Sequence, residues 1–291
     1  MSPTPQLTCH ILDTGYCLAH ENLLIQGGAR REVDCHSIVA LLQHPDCGWM
    51  LWDAGYAPHM LSATAHFPYS LYRLATPLRL RPELAAAAQL PHFGLTPGDI
   101  RTVVISHFHA DHLAGLADFP TSRIITLRDA YASIAPLKGL AALRRGFVPA
   151  LLPADFRNRV TLLDKLRGPA LPHLGPTHDL FGDGSAVLVR LPGHACGQVG
   201  LLANTQRGRI FFVADSCWLA RSITEQRPPS ALTNFIVDNP AQVRSTILQL
   251  HAFMRDNPDV LLIPSHCPET FARSGMGAAA GTDKYVATVN L

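Results

Sequence analysis

The apolar runs of this chain are short and are separated by turn-forming residues. Residues 6–13, 36–43 and 49–52 are runs of this kind, bounded by Gly, Pro and Asp. Further aliphatic and β-branched runs lie at 101–106, 186–191, 210–214 and 260–264. Such runs are typical of β-strands. We therefore predict a strand at each of these seven positions, with hairpins among the first three.

Helical signals are confined to two parts of the chain. Prolines at 58, 68, 77, 82 and 91 divide the stretch 57–95 into short helical pieces, the clearest at 82–90, where Pro82 takes the first helical position. A longer helix is predicted after Asn239, a residue type that caps helices, with Pro240 at its first position. One face of this helix is apolar and carries Val243, Ile247, Leu250 and Met254. The glycine-rich stretch 274–281 is predicted to be mobile.

Composition indicates a compact protein. The chain has 291 residues, of which 47% are hydrophobic and 16% charged. We predict a single domain over 1–291, with insertions at 57–95 and 133–180 that form a pocket wall or lid. The first insertion carries Phe67, Tyr69, Tyr72 and Phe93, which either line a pocket for an acyl or aromatic group or pack as core.

Charge, hydropathy and cysteine spacing exclude several classes of protein. A formal net charge of +2 implies no overall attraction to nucleic acid or to an anionic membrane. No apolar run approaches the ~18 residues that a membrane span needs, and residues 1–7 lack the features of a secretory signal. We therefore predict a cytoplasmic location. The seven cysteines show no Cys-x-x-Cys pair, which disfavours a disulfide framework or a cysteine zinc ribbon.

The strongest chemical signal is the segment S-H-F-H-A-D-H-L-A-G at 106–115, directly after a predicted strand. It holds His107, His109, Asp111 and His112, and imidazole and carboxylate are side chains that suit zinc. A loop leaving a strand can turn alternate side chains to opposite sides of a metal pair. We predict that His107 and His109 bind one ion, while Asp111 and His112 bind a second.

Three more candidate ligands also follow predicted strands. His194 comes after 186–191, Asp215 after 210–214 and His266 after 260–264. A catalytic zinc site usually has three protein ligands and keeps a position for water. We therefore predict that His194 completes the first site, that His266 completes the second, and that Asp215 bridges both ions.

These residues, in this order, resemble the metallo-β-lactamase superfamily, whose pattern is H-x-H-x-D-H followed by His, Asp and His. Asp53, in the segment L-W-D-A-G, is similar to the family's early Asp-x-Gly turn, where the aspartate supports the metal ligands. The resemblance spans 7–271. It implies an α+β fold, an αββα four-layer sandwich with two sheets face to face, helices outside and the metals at one edge.

The ligand types also indicate the metal. Di-iron, oxygen-reducing members of the superfamily usually carry glutamate where this chain has His109, so we predict two zinc ions per chain, with iron or manganese as alternatives. Members that dioxygenate persulfides with one iron are expected to lack a full second site. Here Asp111, His112 and His266 are all present.

The predicted chemistry is hydrolysis. The two ions would lower the pKa of bound water from ~15.7 toward ~7, so that a bridging hydroxide forms at neutral pH and attacks a carbonyl carbon. One zinc stabilises the developing oxyanion, and Asp111 or a zinc-bound water protonates the leaving group. Asp215 contributes as the bridging ligand. Cys217 and Cys267 lie beside ligands in the sequence, and we predict that both pack as core.

Within the superfamily, the layout most resembles the N-acyl homoserine lactonases. We therefore predict the opening of a lactone or related ester of a small molecule. Trp218 stands where those lactonases carry a tyrosine whose hydroxyl assists at the substrate carbonyl. Indole donates one N–H and cannot release a proton as a phenol can. Trp218 therefore either donates to the carbonyl or only shapes the pocket.

Other functions stay open. A thioesterase similar to glyoxalase II is indicated by a basic region between 123 and 167, which could receive the phosphates of coenzyme A or an acidic carrier protein, although a solvated surface has the same composition. The region contains Arg123, Arg128, Lys138, Arg144, Arg145, Arg157, Arg159, Lys165 and Arg167. A catalytically silent binding module would be expected to lack ligands, and none is lost. Nucleic-acid cleavage is disfavoured because the sequence shows no added RNA-binding domain.

Overall fold

A computed structural model describes residues 3–273, so the predicted mobile stretch 274–281 lies outside the described residues. The first sheet has seven strands in the order β4-β1-β2-β3-β5-β6-β7. Neighbours from β4 to β3 are antiparallel, and those from β3 to β7 are parallel. The strands are β1 (Thr8–His20), β2 (Glu32–His44), β3 (Gly48–Trp52), β4 (Leu78–Arg79), β5 (Ile100–Val104), β6 (Arg123–Leu127) and β7 (Val160–Leu163).

The second sheet has six strands in the order β13-β12-β11-β10-β9-β8. Its pairs are antiparallel except for β12 with β13, which is parallel. The strands are β8 (Gly168–Leu171), β9 (Gly175–Asp179), β10 (Ala186–Arg190), β11 (Val199–Thr205), β12 (Gly208–Ala214) and β13 (Leu261–Pro264). All seven predicted strands are present, with β1 and β2 extending well beyond the predicted 6–13 and 36–43.

The two sheets pack against each other through the main core. Leu188, Leu201 and Phe212 of the second sheet share one buried cluster with Leu41 and Val103 of the first. Their sequence neighbours point the opposite way, as alternation along a strand requires. Val189, Leu202 and Phe211 lie in a second cluster with a long helix. The second sheet is therefore buried on both faces.

Helices cover the outer faces of the sandwich. The long helix, α10, supplies Val243, Ile247 and Leu250 to the second cluster, and β6 contacts α6 and α8 on the other side. This arrangement confirms the predicted αββα sandwich. The helices are α1 (Glu21–Leu24), α2 (His59–Ala63), α3 (Ser70–Ala75), α4 (Ala86–Gln89), α5 (Ala110–Leu113), α6 (Arg128–Ile134), α7 (Gly139–Arg144), α8 (Phe156–Arg159), α9 (Arg221–Thr224), α10 (Pro240–Asp256) and α11 (Pro268–Arg273).

The N-terminus of α10 is as predicted. The Asn239 side chain accepts a hydrogen bond from the backbone N–H of Gln242 at 3.1 Å, which satisfies one of the free donors at the helix start. Pro240 occupies the first position. Across the described residues, no helix combines the length and the apolar character that a membrane span needs.

The single helix predicted at 82–90 is wrong. A 3-10 turn, Pro82–Leu84, and α4 replace it, and Ala85 between them has an extended ψ of 140°. The Gln89 side chain amide donates to the carbonyl of Leu84 at 2.6 Å and to that of Asp13 in β1 at 3.0 Å. These bonds join the segment to β1 and take over the helical hydrogen bonding at the break.

The two predicted insertions differ in character. The range 57–95 consists mostly of short helical pieces, together with the two-residue strand β4. The range 133–180 contains α7 and α8 but continues into β7, β8 and β9, which belong to the sheets. The part of this range before β7 is 133–159, and a wall or lid there stays a prediction.

Candidate metal centre

The candidate ligands lie at one edge of the sandwich because their strands end there. β10 and β12 are both antiparallel to β11 and so run in the same direction, and β13 is parallel to β12. His194, Asp215 and His266 follow these three strands. In the first sheet, β3 and β5 are parallel, and they deliver Asp53 and His107. The carboxyl ends of five strands thus bring distant residues together.

A glycine is required to deliver His194. Gly193 has a φ of +128°, and a Cβ at this position would lie 2.3 Å from the backbone nitrogen of Val243 in α10. The loop is held against the start of that helix by backbone bonds from Asp238 to the His194 carbonyl, 3.0 Å, and from Asn239 to the Gly193 carbonyl, 2.8 Å. Only glycine allows this close approach.

Asp53 forms hydrogen bonds with the histidine segment. It has a φ of 62°, and its carboxylate accepts from the backbone N–H of Ser106 at 2.7 Å and from the Ser106 hydroxyl at 2.8 Å. The same carboxylate lies 2.8 Å from Nδ1 of His112. A carboxylate at Nδ1 places the proton on that nitrogen and leaves Nε2 free to bind a metal. These are the contacts that the supporting role predicted for Asp53 requires.

One group of four side chains forms the first cluster. His107, His109, His194 and Asp215 each offer a ligand atom, and these atoms lie within 4.8 Å of one another. Nε2 of His194 is 2.9 Å from Nδ1 of His109, and it is 3.3 Å from Oδ2 of Asp215. The structure therefore brings together the residues that the sequence assigns to the first ion.

Asp111, His112 and His266 form the second cluster, with the same spread of ligand atoms. Oδ2 of Asp111 is 3.2 Å from Nε2 of His266. Nδ1 of His266 lies against the backbone carbonyl of His36 in β2, which turns Nε2 toward the other ligands.

Asp215 lies between the two clusters. Its Oδ2 is 3.3 Å from Nε2 of His194 in the first cluster and 2.9 Å from Nε2 of His266 in the second. Its Oδ1 is 3.3 Å from Nε2 of His112. One carboxylate therefore faces ligands of both groups, as a bridging residue must.

The donor atoms fit a pair of metal ions. Among the described residues, His107 Nε2, His112 Nε2 and Asp215 Oδ1 are buried and form no hydrogen bond of acceptable geometry. Buried polar atoms without a partner are costly. All three point into the clusters, so cations bound there would satisfy them.

Burial sets the protonation of the first cluster. It lowers the pKa of His107 and of His194 well below the ordinary value, and it lowers the pKa of His109 to about 4. These imidazoles are therefore neutral at neutral pH, which leaves a lone pair free for a metal.

Carboxylates dominate the second cluster. Burial alone lowers the pKa of His112, but the charges of Asp53, Asp111 and Asp215 outweigh it and hold that pKa well above the ordinary value. Burial is likewise outweighed at His266, where the charge of Asp215 leads a rise in pKa to about 9. The carboxylates thus favour positive charge at this cluster, which divalent cations also provide.

Trp218 contacts the site through Asp215. Its indole N–H donates to Oδ2 of Asp215 at 3.3 Å, and its ring meets the ring of His194 edge-on at 5.8 Å. The side chain is buried. The N–H that could have reached a substrate carbonyl is therefore already directed at the Asp215 carboxylate.

Tyr72 reaches the site from the range 57–95. Its hydroxyl donates to Oδ1 of Asp111 at 3.3 Å. Of the other aromatic residues in that range, Phe67 is 72% exposed, the Tyr69 hydroxyl accepts from the backbone of Gly139, and the Phe93 ring contacts His10. The sequence named Tyr72 only as a pocket or core residue, and no local pattern links it to Asp111.

Other sequence features are also accounted for. Cys217 and Cys267 are buried as predicted, and burial raises the pKa of Cys217 well above its ordinary value. Several residues of the basic region pair with acids, in the pairs Arg128 with Asp164, Arg159 with Asp155 and Arg145 with Asp238. These pairs neutralise part of the region predicted to attract phosphates.

Residues 34–266 match the family model described as the metallo-beta-lactamase superfamily. The chain belongs to this superfamily. As a member with both groups of candidate ligands in place, it is a metal-dependent hydrolase. The αββα sandwich and the position of the clusters at its edge agree with that membership.

Two relatives and one solved structure are similar to this chain. The chain is 26% identical to a probable metallo-hydrolase of Mycobacterium tuberculosis over 81% of this chain and 76% of that protein. It is 25% identical to the N-acyl homoserine lactonase AiiB of Agrobacterium fabrum over 78% of this chain and 82% of that protein. A solved structure of an N-acyl homoserine lactone hydrolase, with N-hexanoyl-L-homoserine bound at its catalytic metal centre, has a similar fold. Its TM-score is 0.71 at 16% identity, over 93% of this chain and 96% of that one.

Proposed function

We propose that the protein is a dizinc hydrolase that opens a lactone or a related carboxylic ester, with an N-acyl homoserine lactone as the first candidate substrate. The observation that carries the proposal is the position of Asp215, whose Oδ2 lies within 3.3 Å of His194 in one cluster and of His266 in the other. Three ligands on each side of a shared carboxylate suit two ions.

Zinc is the metal that these donors favour. Five imidazoles and two carboxylates make up the clusters, and zinc binds this nitrogen-rich set well. Iron and manganese are the alternatives for the same residues. When bound, two zinc ions would supply an activated water at neutral pH and would polarise the carbonyl that it attacks.

The residues of the chain orient this chemistry. Asp215 connects the two clusters, since its carboxylate faces ligands of both. The Trp218 N–H fixes the orientation of this carboxylate. Asp111 turns Oδ2 toward His266, while Oδ1 is directed toward the Tyr72 hydroxyl. We assign to Asp111 the transfer of a proton from the attacking water to the leaving alkoxide, because its Oδ1 points away from His266 and accepts a hydrogen bond from Tyr72.

Two observations favour a lactone over a thioester. Relatives of similar length are named N-acyl homoserine lactonases. In addition, the basic region that would bind coenzyme A is partly neutralised, for example by the pair between Arg145 and Asp238. A surface that has lost part of its positive charge attracts phosphates less strongly.

A substrate panel tests the proposal. The zinc-loaded protein is given N-acyl homoserine lactones, simple aryl esters and acyl-coenzyme A thioesters, and kcat/KM is measured from acid release, with products identified by mass. We expect the highest value for a lactone, loss of activity on chelation and recovery with zinc. Arg144→Glu, at an exposed position, should leave lactone opening unchanged.

Two outcomes would overturn the choice. Absence of lactone opening, together with a thioesterase activity that weakens at high salt and whose KM rises in the double variant Arg144→Glu/Arg145→Glu, would assign the site to thioesters. Absence of turnover on every substrate, with both zinc ions bound, would indicate a binding module.

A further inference from the structure

The two carboxylate oxygens of Asp111 have different surroundings. Oδ2 faces the second cluster, 3.2 Å from Nε2 of His266 and 3.7 Å from Nε2 of His112. Oδ1 accepts the hydrogen bond from the Tyr72 hydroxyl. Carboxylates that bind an ion are commonly held in place by hydrogen bonds from neighbouring groups. The Tyr72 hydroxyl forms such a bond with Oδ1.

The Tyr72 side chain is itself firmly placed. It lies on α3 and packs half-buried against the main core. Its backbone carbonyl accepts from the Thr76 hydroxyl at 2.8 Å, and its N–H donates to the carbonyl of Tyr69 at 3.0 Å. The Tyr69 hydroxyl in turn accepts from the backbone N–H of Gly139 at 2.9 Å, which joins α3 to the range 133–159. The backbone bonds of Tyr72 thus hold its place in α3 separately from the bond at the Tyr69 hydroxyl.

We infer that Tyr72 is a positioning residue of the metal centre, whose hydroxyl holds Oδ1 of Asp111 so that Oδ2 stays directed at the second metal position. The inference deepens the proposed function and rests on it for its link to turnover. Tyr72 also brings a phenol hydroxyl to the site. The position where the sequence comparison leads one to expect a tyrosine holds Trp218 instead.

The consequence concerns one ion of the pair. Partners that orient a ligand from outside the first coordination sphere change metal affinity by about 10- to 100-fold. Tyr72 contacts Asp111, and the first cluster consists of other residues. Loss of the Tyr72 hydroxyl should therefore lower the affinity for the second ion only. A residue that merely packs against the core would change folding stability instead, and would leave both metal affinities alone.

The test compares Tyr72→Phe with Tyr69→Phe, which removes a hydroxyl from the same segment but one bonded to Gly139. Zinc is titrated against a chromophoric chelator, so that two affinities are obtained without any substrate. We expect Tyr72→Phe to weaken one affinity by about 10- to 100-fold and to keep the other, while Tyr69→Phe keeps both. In the Asp111→Ala background, Tyr72→Phe should add no further loss, because the oxygen that accepts its hydrogen bond is gone.

Each remaining outcome decides the matter. Wild-type affinity for both ions in Tyr72→Phe would overturn the inference, as would loss of the melting transition of the metal-free variant, since the hydroxyl would then serve folding. The wild-type protein could open no lactone while Tyr72→Phe still binds one of the two zinc ions more weakly than the wild type. The proposed function would then fail, and the inference would stand. If lactone turnover is present, kcat should fall in Tyr72→Phe with little change in KM.

Discussion

The indole N–H of Trp218 donates to Oδ2 of Asp215 at 3.3 Å, and the same oxygen lies 2.9 Å from Nε2 of His266. The tryptophan thus acts on the residue that lies between the two clusters. Indole is a donor only, so it stabilises a carboxylate in one orientation and cannot take a proton from it.

Trp218→Phe should therefore weaken the site without abolishing it. The variant loses one hydrogen bond, which is worth about 1 kcal/mol, and keeps an aromatic ring against His194. We expect kcat/KM to fall by about tenfold or less. Trp49→Phe, in β3 and away from the ligands, is the matched control. A loss of about a thousandfold would mean that the indole acts on the reacting atoms.

The purified protein should contain close to two zinc ions per chain. The prediction follows from two clusters with one shared carboxylate, and elemental analysis by mass spectrometry measures it. Full activity at one ion or fewer, after zinc has been supplied in excess, would rule out a mechanism that uses both clusters.

Asp111→Asn and His109→Ala should each lower kcat by at least about a hundredfold. Each change removes a candidate ligand, yet neither side chain belongs to the hydrophobic clusters that stabilise the sandwich. The circular dichroism spectrum should therefore match that of the unmodified protein. Turnover near the normal rate in either variant would contradict the assigned metal positions.

Asp53→Asn should weaken metal binding by about 10- to 100-fold. Asparagine tolerates the positive φ of 62° at this position, so the backbone turn is kept. The amide, however, lacks the charge that orients Nδ1 of His112. Asp99→Asn, at an exposed cap, is the control for charge removal. Zinc affinity is measured by competition with a chelator. Equal affinity in the two variants would show that Asp53 does not support the metal ligands.

A stability prediction concerns Glu21, whose buried carboxylate binds Arg221 and Arg31. The hydrogen bond from Arg221 is the largest cause that lowers the pKa of Glu21. A carboxyl whose pKa is lowered on folding adds stability above its unfolded pKa of about 4.3, and this stability is lost as pH falls through the folded pKa.

We therefore expect Glu21→Gln to lower the free energy of unfolding by about 2 kcal/mol at neutral pH, measured by denaturant titration. The difference from the unmodified protein should shrink as the pH is lowered below about 4. Glu83→Gln, which breaks an exposed pair with Arg81, should change stability little. A difference for Glu21→Gln that stays constant into acid would show that charge is not its cause.

Local signals in the sequence were sufficient for much of the architecture. Seven strands and the cap of α10 follow from short-range patterns, because alternation and capping involve residues a few positions apart. The candidate ligands could be named for a related reason. His107 to His112 share one loop, and the other ligands each follow an apolar run directly.

Short-range patterns failed where a distant contact competes with a local one. The helix expected at 82–90 is interrupted because Gln89 also bonds the carbonyl of Asp13 in β1. Periodicity within the segment carries no information about that partner.

The tertiary structure alone decided how the site is arranged. The contact of the Tyr72 hydroxyl with Asp111 and the support of His112 by Asp53 both depend on how the strands and α3 are placed. These pairs join residues 39 and 59 positions apart. A sequence pattern names residues with the right chemistry, but their distances and angles are set by strand order and by core packing, which act between segments that are remote along the chain.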